Sequence, residues 1–148
     1  MDNNNKYETP SLSHSFGRLI LQLRKLERQP RTFEGIGPLT PSELHTIDAI
    51  GPEGSVLMSE LAARLGITKG AVTQLIARLE TKELVVRSMH PTDQRSTLIS
   101  LTVQGKAAYM MHEELHQAFY KQLQTQMSPE EIAIFAKTID KFIFALDH

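Results

Sequence analysis

Apolar residues recur at three- and four-residue steps along most of this 148-residue chain, the pattern of amphipathic helices. In residues 11–29, Leu12, Phe16, Leu19, Ile20, Leu23 and Leu26 form one such series, and Pro30 stops it. Residues 30–41 hold three prolines and two glycines and read mostly as loop. Thr40-Pro41-Ser42-Glu43 is a helix start: Thr40 caps, Pro41 suits the first helical position, and Glu43 completes a capping box. That helix is expected to reach Ile50, before Gly51-Pro52-Glu53-Gly54. Thr102 is placed to cap a long, proline-free helix over 103–126. Ser128-Pro129-Glu130-Glu131 opens a last helix, expected to bury Ile132, Phe135, Ile139, Phe142, Ile143 and Leu146.

The middle of the chain carries a different pattern. Ser59 precedes a short helix with Leu61, Ala62 and Leu65 inward, stopped by Gly66. A second helix opens at Thr68 and runs to Glu83, with Val72, Leu75, Ile76 and Leu79 on one face. A short helix, a Gly-containing turn and a longer amphipathic helix make a helix-turn-helix pattern, although an ordinary helical hairpin shares it. The residues that follow separate the two. Residues 84–89 and 96–101 read as strands rich in β-branched side chains, joined by the polar turn His90-Pro91-Thr92-Asp93-Gln94-Arg95. The whole is mainly α with a small β-wing, a winged helix-turn-helix.

Composition narrows the chemistry. With 41% hydrophobic and 22% charged residues the chain is of globular type, and the absence of Cys excludes disulfides, thiolate metal sites and Cys catalysis. No apolar run approaches the ~18 residues of a membrane span. The polar Met1-Asp2-Asn3-Asn4-Asn5 lacks the apolar stretch of a signal peptide and is expected to fray, so a cytoplasmic protein with no membrane partner is expected. The net charge of −1 is unevenly spread: residues 60–106 carry 7 basic and 4 acidic side chains, against 6 and 7 before them and 3 and 6 after. A basic middle between acidic flanks points to a polyanion as partner for the middle alone.

Over residues ~11–146 the sequence resembles the MarR family of bacterial winged-helix regulators. The resemblance is carried by Leu61-Ala62, Leu65-Gly66-Ile67-Thr68, Val72-Thr73, Leu75-Ile76, Leu79-Glu80, Leu84-Val85, Arg87, Asp93-Gln94-Arg95, Leu101-Thr102 and Gly105. It implies a homodimeric repressor, not an enzyme, bound to double-stranded DNA at a pseudo-palindromic operator. Residues 1–39 and 106–148 would form a helical dimerisation lobe and 40–105 the DNA-binding domain. The apolar pattern agrees, because the terminal helices are apolar over more than one face. The helix from Thr68 would enter the major groove. Thr68, Lys69, Thr73, Gln74 and Arg78 are outward there: Gln74 suits adenine, Thr73 a thymine methyl or a phosphate, and Lys69 a phosphate. Arg95 at the wing tip suits a narrow minor groove, and the resemblance implies that Asp93 holds its guanidinium.

Two imidazoles four residues apart, His112 and His116, lie on one face of the long helix and can chelate a cation. Here the sequence looks like the zinc-responsive, streptococcal-type MarR regulators. That likeness implies one Zn(II) site per subunit from Glu27, His45, His112 and His116, with metal as corepressor. A second, weaker site of that subgroup needs a Cys and two Glu; Phe33, Leu44 and Met111 stand at those positions, so it is expected to be missing. The alternative is a repressor released by an aromatic or other small organic ligand. A remote alternative comes from His112-Glu113-Glu114-Leu115-His116, which spells the H-E-x-x-H of zinc metalloproteases, although the winged helix leaves no free edge strand for a cleft.

Overall fold

Helices begin where a side-chain oxygen stands ready for the first free backbone N–H groups. The computed structural model describes residues 11–28 and 30–148, without the side chain of Glu27; the expected fraying of residues 1–5 lies outside the described residues. Helix α1 spans Leu12–Glu27, capped by Ser11. Strands β1 (Arg31–Phe33) and β2 (Gly37–Leu39) then form an antiparallel hairpin where mostly loop was expected. Gly35 and Gly37 turn the chain at φ of 77° and 95°, and Phe33 and Leu39 anchor the hairpin in the core.

Helix α2 (Pro41–Ile50) opens with the expected capping box: the Glu43 N–H donates to Thr40 Oγ1 at 3.2 Å, and the Thr40 N–H donates to Glu43 Oε2 at 3.0 Å. Strand β3 (Val56–Leu57) leads straight into α3 (Met58–Leu65). Ser59 is therefore inside the helix rather than before it. Leu57, held in the sheet by its pairing with Leu98, takes the cap position with no side-chain bond. Gly66 ends α3 in the left-handed region, and Thr68 caps α4 (Lys69–Thr81) by accepting from the Ala71 N–H at 3.2 Å. Strands β4 (Val85–Met89) and β5 (Thr97–Leu101) complete a three-stranded antiparallel sheet in the order β3-β5-β4. Helices α5 (Val103–Gln126) and α6 (Pro129–Leu146) follow, capped by Thr102 and Ser128. Among the described residues no helix is long and apolar enough to cross a membrane.

One core joins these elements. Leu44, Ile47, Leu61, Val72, Ile76, Leu79, Leu84 and Ile99 fill it, and it extends past residues 40–105 to take in Phe33, Leu39 and Ala108. The exit from α4 is tightly built. Glu83 sits at φ 59°, and its carbonyl accepts from the Thr102 hydroxyl at 2.7 Å. The Leu84 carbonyl accepts from the Thr102 N–H at 3.0 Å. Gly105 lies on that same carbonyl: a Cβ there would overlap the Leu84 oxygen and approach Leu101 Cβ to 3.2 Å. The first turn of α5 is thereby seated against the end of α4.

The apolar face expected to be buried on α6 is not buried within this chain. Ile132 is half-buried, while Phe135, Ile139, Phe142, Ile143 and Leu146 are exposed. Phe142 meets Phe16 of α1 edge-on at 4.9 Å and still leaves 44% of its surface in water. Among the described residues no further element covers these side chains.

The two backbone features of the α4 exit predict opposite effects. Gly105→Ala should cost about 1–3 kcal/mol, because the methyl must displace backbone. Glu83→Gly should add about 0.5–1 kcal/mol, because relief of the left-handed strain exceeds the added freedom of the unfolded chain. Urea unfolding of the two variants checks both signs.

Candidate nucleic-acid interface and neighbouring cleft

The 3.6-residue repeat of α4 sorts its side chains onto two faces. Val72, Leu75, Ile76 and Leu79 are buried, which turns Lys69, Thr73, Gln74 and Arg78 to solvent. Thr68 is exposed at the start of the helix and serves as its cap. The Thr73 hydroxyl donates to the Lys69 carbonyl at 2.9 Å, so its proton is committed within the helix while the residue stays exposed. Gly70 has open space where a Cβ would stand, with only Thr68 Oγ1 near it at 4.0 Å. Lys69 and Arg95 line one crevice, together with Ser59 of α3 and with Ser96 and Thr97 at the turn end of the wing. The helix start and the wing therefore present two cations to the same volume.

Asp93 does a different job from the one expected. Its Oδ1 accepts from the Arg95 backbone N–H at 3.0 Å and its Oδ2 from the Ser96 hydroxyl at 2.7 Å, so it shapes the turn rather than gripping the guanidinium. In a tight turn the backbone two residues on is nearer than the end of a long side chain. The hydroxyl of Ser96, then the Arg95 N–H, hold the Asp93 carboxyl below the usual carboxylate range. His90 adds a second staple, accepting from the Thr92 N–H at 3.2 Å through Nδ1, while its own N–H donates to the Ser96 carbonyl at 3.1 Å. The Arg95 side chain is left exposed.

A cleft of about 310 Å³ opens between α1, β1, α2 and α5. Leu23 and Leu26 form its apolar wall; Arg31, His45, Asp48, His112 and His116 bring polar groups to it. The His112 and His116 rings lie 4.3 Å apart, edge to face. His112 Nδ1 is buried with no hydrogen-bond partner. Burial, then the neighbouring His116, holds the His112 pKa below the ordinary 6.5; Arg31 and His45 act in the same sense and Asp48 against it. Glu113 lies 3.9 Å from His116 Nδ1. Glu27 ends α1, and its side chain lies outside the described residues. The structure thus brings three members of the expected ligand set to one cleft, yet among the described residues no three His, Asp or Glu side chains converge as a metal-binding group. Phe33 and Leu44 are core residues and Met111 packs against the core.

The MarR family model matches residues 38–96, from β2 to the end of the wing turn. FabT of Streptococcus pneumoniae, solved in complex with DNA, is 28% identical with a TM-score of 0.74, covering 90% of this chain and 91% of that chain. The fold is a winged helix-turn-helix, and over residues 38–96 the chain is similar to the MarR family. Among curated proteins, the HTH-type transcriptional repressor MdtR of Bacillus subtilis is 33% identical over 90 residues, which are 60% of this chain and 58% of that protein. The chain spans about three fifths of the length of the first curated relatives it matches. Those two relatives are HTH-type transcriptional regulators. The zinc-responsive MarR family member ZitR of Lactococcus lactis superposes with a TM-score of 0.66 over 90% of this chain and 96% of that chain; at 21% identity the likeness is one of fold.

Sequence reasoning missed three polar links around the interface. Lys82 Nζ bonds Glu43 Oε2 at 2.7 Å, Arg87 Nε bonds Glu80 Oε1 at 2.6 Å, and Arg64 donates to the Ala49 carbonyl at 2.8 Å. Only the first had a local signal, since Glu43 was already marked by the capping box.

His112 predicts a pH dependence for metal-free protein. Its folded pKa is below the unfolded value, so the unfolded chain takes up this proton first as pH falls. Stability should drop as the pH passes down through about 6.5 and level off below the lowered folded value. Denaturant titrations of chelator-treated protein at about pH 7.5 and 5.5 test this. His112→Gln should shrink the difference between the two; an undiminished difference contradicts the assignment.

Proposed function

We propose that the chain acts as a homodimeric, sequence-specific DNA-binding repressor of transcription. The observation that carries this reading is the outward face of α4, with Lys69, Thr73, Gln74 and Arg78 exposed beside a wing that carries Arg95. In the dimer, two copies of α4 enter successive major grooves of a pseudo-palindromic operator. Gln74 pairs its amide with adenine, Thr73 packs its methyl on thymine, and Lys69 grips phosphate. Arg95 enters the minor groove, where negative potential is focused. The exposed apolar residues of α1, α5 and α6 supply the dimer contact. FabT, solved on DNA with 28% identity, and the repressor MdtR support the reading.

Arg95→Ala should weaken binding to most duplexes by a similar factor and lower the slope of log affinity against log salt by about one. Filter binding across a salt series measures both quantities. Unchanged affinity and slope contradict the wing assignment.

The effector reading rests on the cleft. We infer that it takes a divalent cation, with Zn(II) favoured, because the donor set is imidazole-rich and His112 Nδ1 has no other partner. His112, His116 and His45 would hold the ion, with Glu27 as the carboxylate from α1. A bound ion would tie α1, α2 and α5 together and select one spacing of the two α4 helices. A coupling of about 1–3 kcal/mol suffices for a switch of about 5–150-fold in DNA affinity. An organic acid held by Arg31 against Leu23 and Leu26 is the competing occupant. His112→Ala combined with His116→Ala should remove the dependence of DNA affinity on chelator and leave the dimer intact. Chelator sensitivity equal to wild type in that variant removes the metal reading.

A further inference from the structure

Glu43 is a buried carboxylate, 1% exposed, and it has more partners than a capping box requires. Its Oε2 accepts from the Thr40 N–H at 3.0 Å and from Lys82 Nζ at 2.7 Å. The same ammonium donates to the Pro38 carbonyl at 3.0 Å. Lys82 is the C-cap residue of α4. One ammonium therefore joins β2, the first turn of α2 and the end of the outward-facing helix.

The bonds of Thr102 hold the chain at residues 83 and 84, past the end of α4, and the links made by α4's own side chains are less directional or more exposed. Apolar contact through Val72, Ile76 and Leu79 holds the helix against the core, but it is non-directional and resists sliding and tilting weakly. The Arg87–Glu80 pair is more than one-third exposed on both sides and is screened by water and salt. A short charge-assisted bond to a buried carboxylate is directional and little screened.

We propose that Glu43 and Lys82 are positioning residues for DNA reading: their bond fixes the tilt and rotation of α4, and so the place of Thr73 and Gln74 against the bases. This rests on the reading of α4 as the helix that enters the groove. The lever is long. Gln74 lies eight residues before Lys82, about 12 Å along the axis, so a tilt of about 5° moves its amide by about 1 Å. A bidentate bond to adenine does not survive that shift.

The charges make the test sharp. Neutralising Glu43 removes a negative charge from a DNA-binding protein, which on electrostatics alone strengthens binding to every duplex. Loss of positioning weakens the selected sequence and leaves the others. The full chain is first used to select duplexes from a randomised library. Affinity for the selected duplex over poly(dI-dC) is then measured at fixed salt for wild type, Glu43→Gln, Lys82→Met and Lys82→Arg, with thermal melts of each. The proposal expects this ratio to fall about tenfold or more in Glu43→Gln and Lys82→Met, the size of one lost base contact, with poly(dI-dC) binding of Glu43→Gln equal to or tighter than wild type. Lys82→Arg, which keeps a donor in reach, should hold the ratio near wild type. Folded Glu43→Gln and Lys82→Met proteins with ratios within about twofold of wild type overturn the proposal. If Glu43→Gln does not fold, Lys82→Met decides by the same criterion, since Lys82 is 34% exposed and its stem remains. A wild-type chain that selects no sequence defeats the reading of α4 itself, and the positioning role with it.

Discussion

The burial of one face of α4 is the constraint on which the rest of the molecule turns. Val72, Leu75, Ile76 and Leu79 leave water, each worth about 1.5–3 kcal/mol, and Val72, Ile76 and Leu79 join the core that holds Leu61, Ile47, Leu84 and Ile99. Because a helix repeats every 3.6 residues, sinking that face leaves Lys69, Thr73, Gln74 and Arg78 no direction but outward. The wing is placed by the same packing, since Leu84 and Val85 enter the core as the chain leaves α4. An outward surface with two parts, helix and wing, follows from one buried stripe.

A second constraint acts on the ends of the chain. Helices α1, α5 and α6 carry Leu12, Leu23, Phe119, Phe135, Phe142 and Leu146 in water, far more than scattered apolar residues on a solvated surface. The first turn of α5 is also locked to the exit of α4 through Thr102 and Gly105. Whatever covers the apolar ends is thus mechanically joined to α4 and the wing. The histidine cleft, walled by α1, α2 and α5, lies between the two.

Much of this was legible in the sequence, for identifiable reasons. Caps at Thr40, Thr68, Thr102 and Ser128 were readable because each needs only a side-chain oxygen at a fixed offset before an amphipathic run. The outward face of α4 was readable because periodicity fixes it. The β1–β2 hairpin was hidden because two glycines and a proline in nine residues look like loop, and what makes it a hairpin is the distant core that receives Phe33 and Leu39. The fate of α6 was misread because periodicity shows which face is apolar but not which molecule covers it. Asp93 was assigned to its neighbour's guanidinium because sequence offset gives proximity without direction. Lys82 went unnoticed because its partner lies 39 residues away, and nothing local marks a lysine as a clamp. The pairing of His112 with His116 was open to view through helical spacing; His45 was joined to them by the family resemblance alone, since no local spacing brings α2 to α5.

Hydroxyl-radical footprinting of both strands of a duplex selected by the protein tests the central claim most directly: two copies present paired α4 helices to one face of DNA. The account predicts two protected segments related by a twofold axis, with centres about one helical turn, or 10 base pairs, apart. A single unsymmetrical protected segment, or none at a protein concentration that saturates binding, contradicts it.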